Sequence, residues 1–257
     1  QPYGYSPFYF DISEYLKFGK QNVITVKIDN SEEINSRWFS GSGIYRHVTI
    51  QVNNPLHFET NGTAVTTSEI QKDKASVNIS TSIINESKSI QEYKVTASVE
   101  TEEGTFKSEL ATKNAPGEIR KGTLALELLN PKLWSPDSPN LYTLKLAIKN
   151  AEGKTVDEVE ETFGIRTIDY NSKDGFVLNG KSILLNGGNM HHDNGALGAA
   201  AFDRAEIRKV QLLKDAGFNS VRTSHNVPSE AFLKACDSIG LLVIDEAFDG
   251  WRTEKNT

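Results

Sequence analysis

The chain has 257 residues, and its 37% hydrophobic and 24% charged residues are the composition of an ordinary globular protein. A formal net charge of −6 at pH 7, without a block rich in Lys or Arg, argues against nucleic acid as a partner and favours a neutral ligand. No apolar stretch approaches the roughly 20 residues of a membrane-spanning helix, so no membrane partner is expected. The single cysteine, Cys236, excludes a disulfide framework.

The first fifty residues are predicted to be β-structure. Residues 23–28 alternate apolar and polar side chains, and residues 44–52 do so again after a Gly-Ser-Gly turn signal at 41–43. The Asn-Asn-Pro sequence at 53–55 then interrupts the pattern. A first β domain is therefore expected to end near residue 53.

A second set of short strand patterns, separated by turns, follows this boundary. The predicted strands are 75–84, 92–99, 105–110, 122–128, 141–148 and 155–163. Their spacing predicts a β-sandwich over residues 54–163, without the paired cysteines of antibody domains. Trp134, in a proline-rich loop at 130–139, is either a core residue or a packing surface for a neighbouring element, and we favour the core.

After residue 163 the pattern changes to strands that alternate with helices. Asn179-Gly180 is a strong type I′ hairpin signal. The first helix is predicted to begin with a capping box formed by Asp203 and Glu206, and to end at Gly217. The second is predicted from Ser229 to residue 239, and Gly240 ends it. The pattern is β-α-β-α-β, which is typical of parallel α/β enzymes.

Polar side chains follow each of the three apolar runs predicted as parallel strands. Residues 182–185 are followed by Asn189, His191, His192 and Asp193; 220–221 by Arg222, Ser224, His225 and Asn226; and 241–244 by Asp245 and Glu246. Because the carboxyl ends of parallel strands meet at one edge, these side chains form the active-site rim in a (β/α)8 barrel. Short side chains that both donate and accept suit a carbohydrate, which is uncharged and covered in hydroxyls.

Other interpretations of these polar residues remain open. The first cluster could be a polar loop with structural histidines, or a metal site, although the first strand lacks a His-x-His pattern and no cysteines cluster nearby. No metal and no cofactor is therefore expected, and a structural or activating cation in a longer protein is left open. Arg222 could orient a catalytic carboxylate or tie strands together, and His225 could contact a sugar hydroxyl.

The adjacent carboxylates Asp245 and Glu246 do not fit the pair that glycoside hydrolysis requires. Successive side chains on a strand point to opposite faces, so these two cannot flank one glycosidic bond. At most one faces the rim, where it would hold Arg or His side chains in place, and the other would anchor a helix or loop. Trp251 is either a platform for a sugar or a core residue.

Several motifs together carry a resemblance to a known family, and they span nearly the whole chain. They are Asn-Ser-Arg-Trp-Phe-Ser-Gly-Ser-Gly-Ile-Tyr-Arg at 35–46, Asn-Pro-Lys-Leu-Trp-Ser-Pro at 130–136, Asn-Leu-Tyr at 140–142, Phe-Gly-Ile-Arg at 163–166, Leu-Asn-Gly-Lys at 178–181, Gly-Phe-Asn-Ser-Val-Arg-Thr-Ser-His-Asn at 217–226 and Cys-Asp-Ser-Ile-Gly-Leu-Leu-Val-Ile-Asp-Glu at 236–246. In this order they resemble glycoside hydrolase family 2, whose best-known members are β-galactosidases and β-glucuronidases.

The resemblance implies a multidomain β plus α/β architecture. It implies the remainder of a jelly-roll sugar-binding domain at 1–53, an immunoglobulin-like β-sandwich at 54–163 and the start of a (β/α)8 TIM barrel at 164–257. It also implies a retaining exo-β-glycosidase, best matched by a β-galactosidase, with β-glucuronidase as the alternative. A non-catalytic carbohydrate-binding module is the alternative of a different class.

The resemblance also assigns site residues. His191, Arg222 and His225 match positions that line the subsite for the terminal sugar, and Asn189 and Asp193 are expected beside them. Family members carry their acid/base and nucleophile glutamates after the fourth and seventh barrel strands, and this sequence contains three strands. Both glutamates are therefore expected beyond Thr257, the last residue of the sequence. No catalytic residue is expected in this chain, and the chain by itself is expected to be inactive.

Two positions depart from the family pattern. Many galactosidases of the family have an Asp where this chain has Arg37, which puts that sugar contact in doubt. Val227 intervenes before Pro228, where the family usually reads Ser-His-x-Pro, and could shift His225 slightly. Since Gln1 opens the chain without a hydrophobic signal core, we expect the chain to be the interior of a longer product. A periplasmic or secreted location is favoured over a cytoplasmic one for that product. A homo-oligomer is possible for the full-length protein.

Overall fold

The structure, a computed structural model, describes residues 5–29, 31 and 42–247. Within these, the chain divides into two compact units. One comprises the residues up to Val48, Asn186–Cys236 and the residues from Leu241; the other comprises Thr49–Leu185 and Asp237–Gly240. The domain boundaries at residues 53 and 163 stay a prediction, and the predicted end of the third domain at Thr257 lies outside the described residues.

The described segment before residue 56 contains one short 3-10 helix, Ser13–Tyr15, and no strand. The strands predicted at 23–28 and 44–52 are therefore not confirmed. Their apolar side chains are exposed: Val23, Ile24, Val26, Ile28, Ile44, Val48, Ile50 and Val52. Alternation shows which face of a strand is apolar, but a strand also needs a neighbour to complete its hydrogen-bond ladder. The described residues supply no such neighbour for these segments.

Nine strands, most of them long, build the β-sandwich unit. They are β1 (Leu56–Ile70), β2 (Lys74–Asn85), β3 (Gln91–Thr101), β4 (Gly104–Asn114), β5 (Ile119–Leu129), β6 (Trp134–Ser135), β7 (Ser138–Pro139), β8 (Tyr142–Asn150) and β9 (Thr155–Phe163). β1-β2-β5 form one antiparallel sheet, β4-β3-β8-β9 form another, and β6 pairs with β7. All six predicted strands are present. β1 escaped prediction because the polar Thr-Asn-Gly-Thr sequence and a register shift between Phe58 and Thr63 interrupt its alternation.

The core of the sandwich is formed by alternate side chains of the two sheets. Every second residue of β5 is buried from Gly122 to Leu128, and so is every second residue of β3 from Tyr93 to Val99. β9 lies at one edge of the four-stranded sheet, where Asp157, Glu158 and Glu160 follow one another closely. Trp134 is 1% exposed, which confirms its prediction as a core residue.

A small antiparallel sheet follows the sandwich, formed by β10 (Ile168–Asn171), β11 (Gly175–Leu178) and β12 (Lys181–Ser182). The turn between β11 and β12 has positive φ angles at Asn179 (51°) and Gly180 (75°). A type I′ turn requires positive φ at both central residues, so the predicted hairpin is confirmed.

The last part of the described chain is a parallel β-α-β-α-β unit, as predicted. Its elements are β13 (Gly187–Met190), α1 (Asp203–Asp215), β14 (Ser220–Thr223), α2 (Glu230–Ile239) and β15 (Leu242–Ile244). The sheet order is β13-β14-β15, with Gly187 beside Ser220 and Arg222 beside Ile244. Consecutive parallel neighbours joined by helices are the arrangement of a barrel wall.

The first parallel strand lies later in the sequence than predicted. The apolar run at 182–185 is not the strand, and its Leu184 is 87% exposed. β13 instead contains two glycines, and a Cβ on Gly187 would contact the main-chain carbonyl and, at 2.6 Å, the hydroxyl of Ser220. The position of β13 therefore depends on how closely its backbone approaches that of β14 at Gly187, and a run of apolar residues in the sequence does not show this. As a result Asn189 lies inside the strand and not after it.

Gly187→Ala is expected to destabilise the α/β unit by about 1–3 kcal/mol, because the added methyl group would push β13 away from β14. Gly188→Ala is the matched control, since a Cβ at Gly188 meets no atom within 4 Å. Urea unfolding followed by circular dichroism measures both variants. Equal losses of stability at the two positions would contradict the argument.

The helices end as predicted, but the first begins differently. Gly217 (φ 87°), which follows the C-cap Ala216 of α1, and Gly240 (φ 89°), which follows α2 directly, occupy the left-handed conformation. Phe202 occupies the N-cap of α1 without a side-chain cap, and Glu206 is buried, so the predicted capping box is wrong. The Ser229 hydroxyl accepts a hydrogen bond from the main-chain N–H of Phe232, which caps α2. No helix in the described part of the chain has the length and hydropathy to cross a membrane.

Candidate functional site

Arg222 is the centre of the polar cluster at the carboxyl ends of the parallel strands. It lies on β14 beside Asn189 of β13, and its Nη1 donates to Asn189 Oδ1 at 3.3 Å. The same nitrogen is 3.4 Å from the hydroxyl of Ser224. The parallel register therefore brings together two of the residues predicted from different strand ends.

Glu246 holds Arg222 and His225 in place. Its Oε2 lies 2.7 Å from Arg222 Nη2 and 3.0 Å from His225 Nδ1. A carboxylate only accepts, so His225 Nδ1 carries the proton of this hydrogen bond, and the 3.4 Å approach of Arg222 to the same nitrogen is then not a hydrogen bond. With Nδ1 as the donor, Nε2 of the neutral imidazole is an acceptor.

Asp245 and Glu246 have different partners, as expected for adjacent residues at a strand end. The Thr223 hydroxyl donates to Asp245 Oδ1 at 3.1 Å and accepts from the main-chain N–H of Glu246 at 3.1 Å. Asp245 thus anchors the backbone between β14 and β15, while the carboxylate of Glu246 contacts Arg222 and His225. With these partners, the carboxylates of Asp245 and Glu246 do not lie on the two sides of one glycosidic bond.

The two histidines that follow β13 take different directions. The ring of His191 lies edge-to-face with that of His225, with centroids 5.7 Å apart. The ring of His192 instead contacts Tyr5 and Tyr45, with centroids 5.1 and 5.8 Å away. The structure therefore brings His191 to His225.

Asp193 is not brought into this group by the contacts of the described residues. Burial lowers the pKa of the His192 imidazole below its ordinary value of 6.5, and the negative charge of Asp193 opposes that shift. Arg46 and Lys209 add to the lowering by charge repulsion. Asp193 therefore acts on His192 and lies apart from the polar contacts around Arg222.

Acidification is expected to destabilise the unit that contains His192. The pKa of His192 is lower in the folded protein than in the unfolded chain, so the folded protein binds this proton less tightly. The contribution of His192 to the free energy of unfolding is therefore fully present above pH 6.5. It is lost as the pH falls from 6.5 through the lower pKa of the folded state. The unfolding midpoint of the unaltered chain should fall further between about pH 7.5 and 5.5 than that of His192→Phe, which keeps a ring beside Tyr45. An unchanged pH dependence in His192→Phe would contradict this prediction.

A buried polar cluster beside the site was missed from the sequence. Glu206 of α1 contacts Asn194, which follows β13, and Ser229, which precedes α2. Its position four residues before the buried Val210 places it on the apolar face of the helix. That spacing was the available signal, and the capping-box interpretation obscured it.

Several positions used in the sequence predictions lie outside the described residues, namely Gln1, residues 35–41 with Arg37 and Gly41, Trp251 and Thr257. The expectation that the acid/base and nucleophile glutamates lie beyond Thr257 therefore stays a prediction. The Ser224–His225 peptide bond, just before the departure at Val227, is cis. The described residues contain no group of three or more His, Cys, Asp and Glu side chains that could hold a metal ion.

Two models of one protein family match most of the described chain. The model of the glycosyl hydrolases family 2 matches residues 57–166, and the model of the family's TIM barrel domain matches residues 171–251. Together they cover more than half of the chain. They confirm the predicted fold class, in which a β-sandwich is followed by the start of a TIM barrel.

The relatives are longer proteins. The chain is 42% identical to beta-galactosidase BoGH2A of Bacteroides ovatus, covering 99% of this chain and 30% of that protein. It is 40% identical to a putative beta-glucuronidase of Formosa agariphila, covering 98% and 24%. The crystal structure of a family 2 member from Bacteroides cellulosilyticus superposes with a TM-score of 0.92 at 47% identity, covering 98% of this chain and 35% of that one. The chain therefore spans about a third or less of the length of these relatives.

Proposed function

Because the chain belongs to glycosyl hydrolase family 2, we propose that the protein containing it is a retaining exo-β-glycosidase that acts as a β-galactosidase. In this proposal the chain supplies Asn189, His191, Arg222 and His225 to the subsite for the terminal sugar. Asp193 is proposed as a further substrate-binding residue, and Asp245 and Glu246 are proposed as supporting residues. The domains are proposed to be 1–53, 54–163 and 164–257, of jelly-roll, immunoglobulin-like and barrel type.

The observation that carries this proposal is the pairing of Arg222 with Glu246 at 2.7 Å, beside Asn189 and His225. The carboxylate offsets the charge of the guanidinium, and the amide and imidazole groups both fit sugar hydroxyls. A neutral hexose therefore suits this cluster better than an anionic sugar. The cluster also lies at the carboxyl ends of parallel strands, which is where barrel enzymes bind substrates.

A retaining mechanism also needs an acid/base and a nucleophile, with two carboxyl groups roughly 5–5.5 Å apart. Asp245 and Glu246 are occupied by different partners and do not fit this requirement. We therefore assign neither role to a residue of this chain. Both catalytic glutamates are proposed to lie beyond Thr257, in the part of the relatives' length that this chain does not span.

A β-glucuronidase is the second candidate, because a relative at 40% identity is named as a putative beta-glucuronidase. A glucuronide carries a carboxylate that requires an additional cation in the subsite. Arg222 is already paired, so that cation would have to come from another part of the protein. The two candidates therefore differ in the charge of the substrate that they select.

Hydrolysis of nitrophenyl β-galactoside and β-glucuronide by the full-length protein, encoded by the gene containing this chain, tests the proposal. We expect a higher kcat/KM for the galactoside. A preference for the glucuronide would establish the second candidate, and glycan binding without hydrolysis of either would indicate a carbohydrate-binding module. The 257-residue chain alone is expected to show no turnover once host enzymes are removed.

A further inference from the structure

Glu206 is the one carboxylate that is buried among the described residues. Its exposed fraction is 3%, and it lies on the inner face of α1 near Val210. A buried carboxylate is costly unless it is paired and hydrogen-bonded, and an apolar residue at such a position is often at least as stable. Packing alone therefore does not explain why α1 carries a Glu here.

The carboxylate of Glu206 joins three different segments. Asn194 Nδ2 donates to Oε1 at 2.6 Å, and the Ser229 hydroxyl donates to Oε2 at 3.1 Å. Lys209, which is itself largely buried, lies 3.5 Å from Oε1 and balances the charge. Each oxygen thus accepts from a group outside α1, and the ammonium group of Lys209 lies beside Oε1 on the helix itself.

The two outside partners belong to the loops that carry the candidate sugar-binding histidines. Asn194 follows His191 closely and closes its own loop, because its main-chain N–H donates to Gly198 O at 2.7 Å. Ser229 ends the loop that begins after His225, and it also caps α2 through Phe232 N–H. Both loops are therefore fixed to the same point on α1.

We propose that Glu206 is a positioning residue that holds these two loops in register, so that His191 and His225 keep their edge-to-face contact at 5.7 Å. The proposal rests on the proposed function for its effect on catalysis, and on the structure alone for its effect on the rings. In this role Glu206 acts through its hydrogen bonds to Asn194 and Ser229. Misplacement of a binding group by about 1 Å can lower a rate by roughly 100-fold.

Kinetics of the full-length protein test the effect on catalysis. Glu206→Ala is expected to lower kcat/KM by about 10- to 100-fold at a temperature where circular dichroism shows an intact fold. The kcat/KM of Glu206→Gln should remain within about threefold of that of the unaltered protein, because the Oε1 of the new amide accepts from Asn194 and its Nε2 donates to the Ser229 hydroxyl. Val210→Ala is the matched control on the same helix face, and it should lower the temperature of unfolding without changing kcat/KM.

Imidazole NMR resonances of the 257-residue chain test the positioning itself. The ring protons of His191 and His225 should shift or broaden in Glu206→Ala and keep their positions in Glu206→Gln and Val210→Ala. Asn194→Ala removes the 2.6 Å contact without touching α1, and it should reproduce the Glu206→Ala spectrum if that variant fails to fold.

The two experiments separate this proposal from the proposed function. Altered rings in Glu206→Ala and Asn194→Ala, together with a full-length protein that hydrolyses no glycoside, would support the positioning role and overturn the proposed function. Ring resonances that respond equally to Glu206→Ala and Val210→Ala, or a Glu206→Gln protein as impaired as Glu206→Ala, would overturn the positioning role.

Discussion

Glu246→Ala is expected to reduce kcat/KM of the full-length protein for its glycoside by about 10- to 100-fold, which corresponds to about 1.4–2.7 kcal/mol. The substitution removes the carboxylate that lies 2.7 Å from Arg222 and 3.0 Å from His225. The guanidinium then loses its charge partner, and the imidazole loses the acceptor that fixes its tautomer. Steady-state kinetics with the nitrophenyl substrate measure the loss.

Two variants control for charge and for general damage. Glu246→Gln keeps an oxygen for His225 but removes the charge opposite Arg222, so an intermediate loss is expected. Glu230→Ala removes a Glu whose side chain is 80% exposed and pairs with Lys234 within α2, and it should leave kcat/KM unchanged. Full activity in Glu246→Ala would show that Arg222 and His225 need no support from this carboxylate.

Trp134→Ala is expected to destabilise the sandwich unit by about 3–5 kcal/mol. The indole is 1% exposed, its Nε1 donates to the Asp237 carbonyl at 2.7 Å, and the Arg166 guanidinium lies 4.6 Å above the ring. Gly164 packs directly on the same ring, since a Cβ there would approach Trp134 to 2.7 Å. Because Gly164 already lies against Trp134, the backbone at Gly164 can move little into the cavity that the substitution would leave. Urea unfolding of the 257-residue chain followed by circular dichroism gives the loss.

Trp134→Phe separates packing from hydrogen bonding in this prediction. It keeps an aromatic ring below Arg166 but loses the donor to Asp237, so a loss of about 1–3 kcal/mol is expected. Tyr170→Ala, at an aromatic side chain that is 81% exposed, should change stability by less than about 0.5 kcal/mol. A loss below about 1 kcal/mol in Trp134→Ala would contradict the core role.

Local sequence signals predicted those elements whose cause is itself local. The predicted strand at 122–128 has every second residue buried in β5, and positive φ angles at Gly217 and Gly240 end the helices where glycine predicted a stop. β13 was misplaced because its strand depends on contact with Ser220, which is distant in sequence. The paired strands expected before residue 53 also depend on neighbours that sequence alternation does not specify.

The same distinction applies to the candidate site. Asn189, Arg222 and His225 were predicted to converge because parallel strands end at one edge, and the structure places their side chains together. The roles of Glu206 and Thr223 were missed. Each role depends on a hydrogen bond to a residue that is distant in sequence, and no sequence pattern around Glu206 or Thr223 identifies that residue.

The acidic edge of the four-stranded sheet affects how the protein behaves with other copies of itself. β9 is the outermost strand, and Asp157, Glu158 and Glu160 follow one another along it. Repulsion between such strands opposes edge-to-edge pairing, which is a common start of aggregation. Replacing these carboxylates with neutral side chains would remove that protection, so such a variant should self-associate through this edge more readily than the unaltered chain.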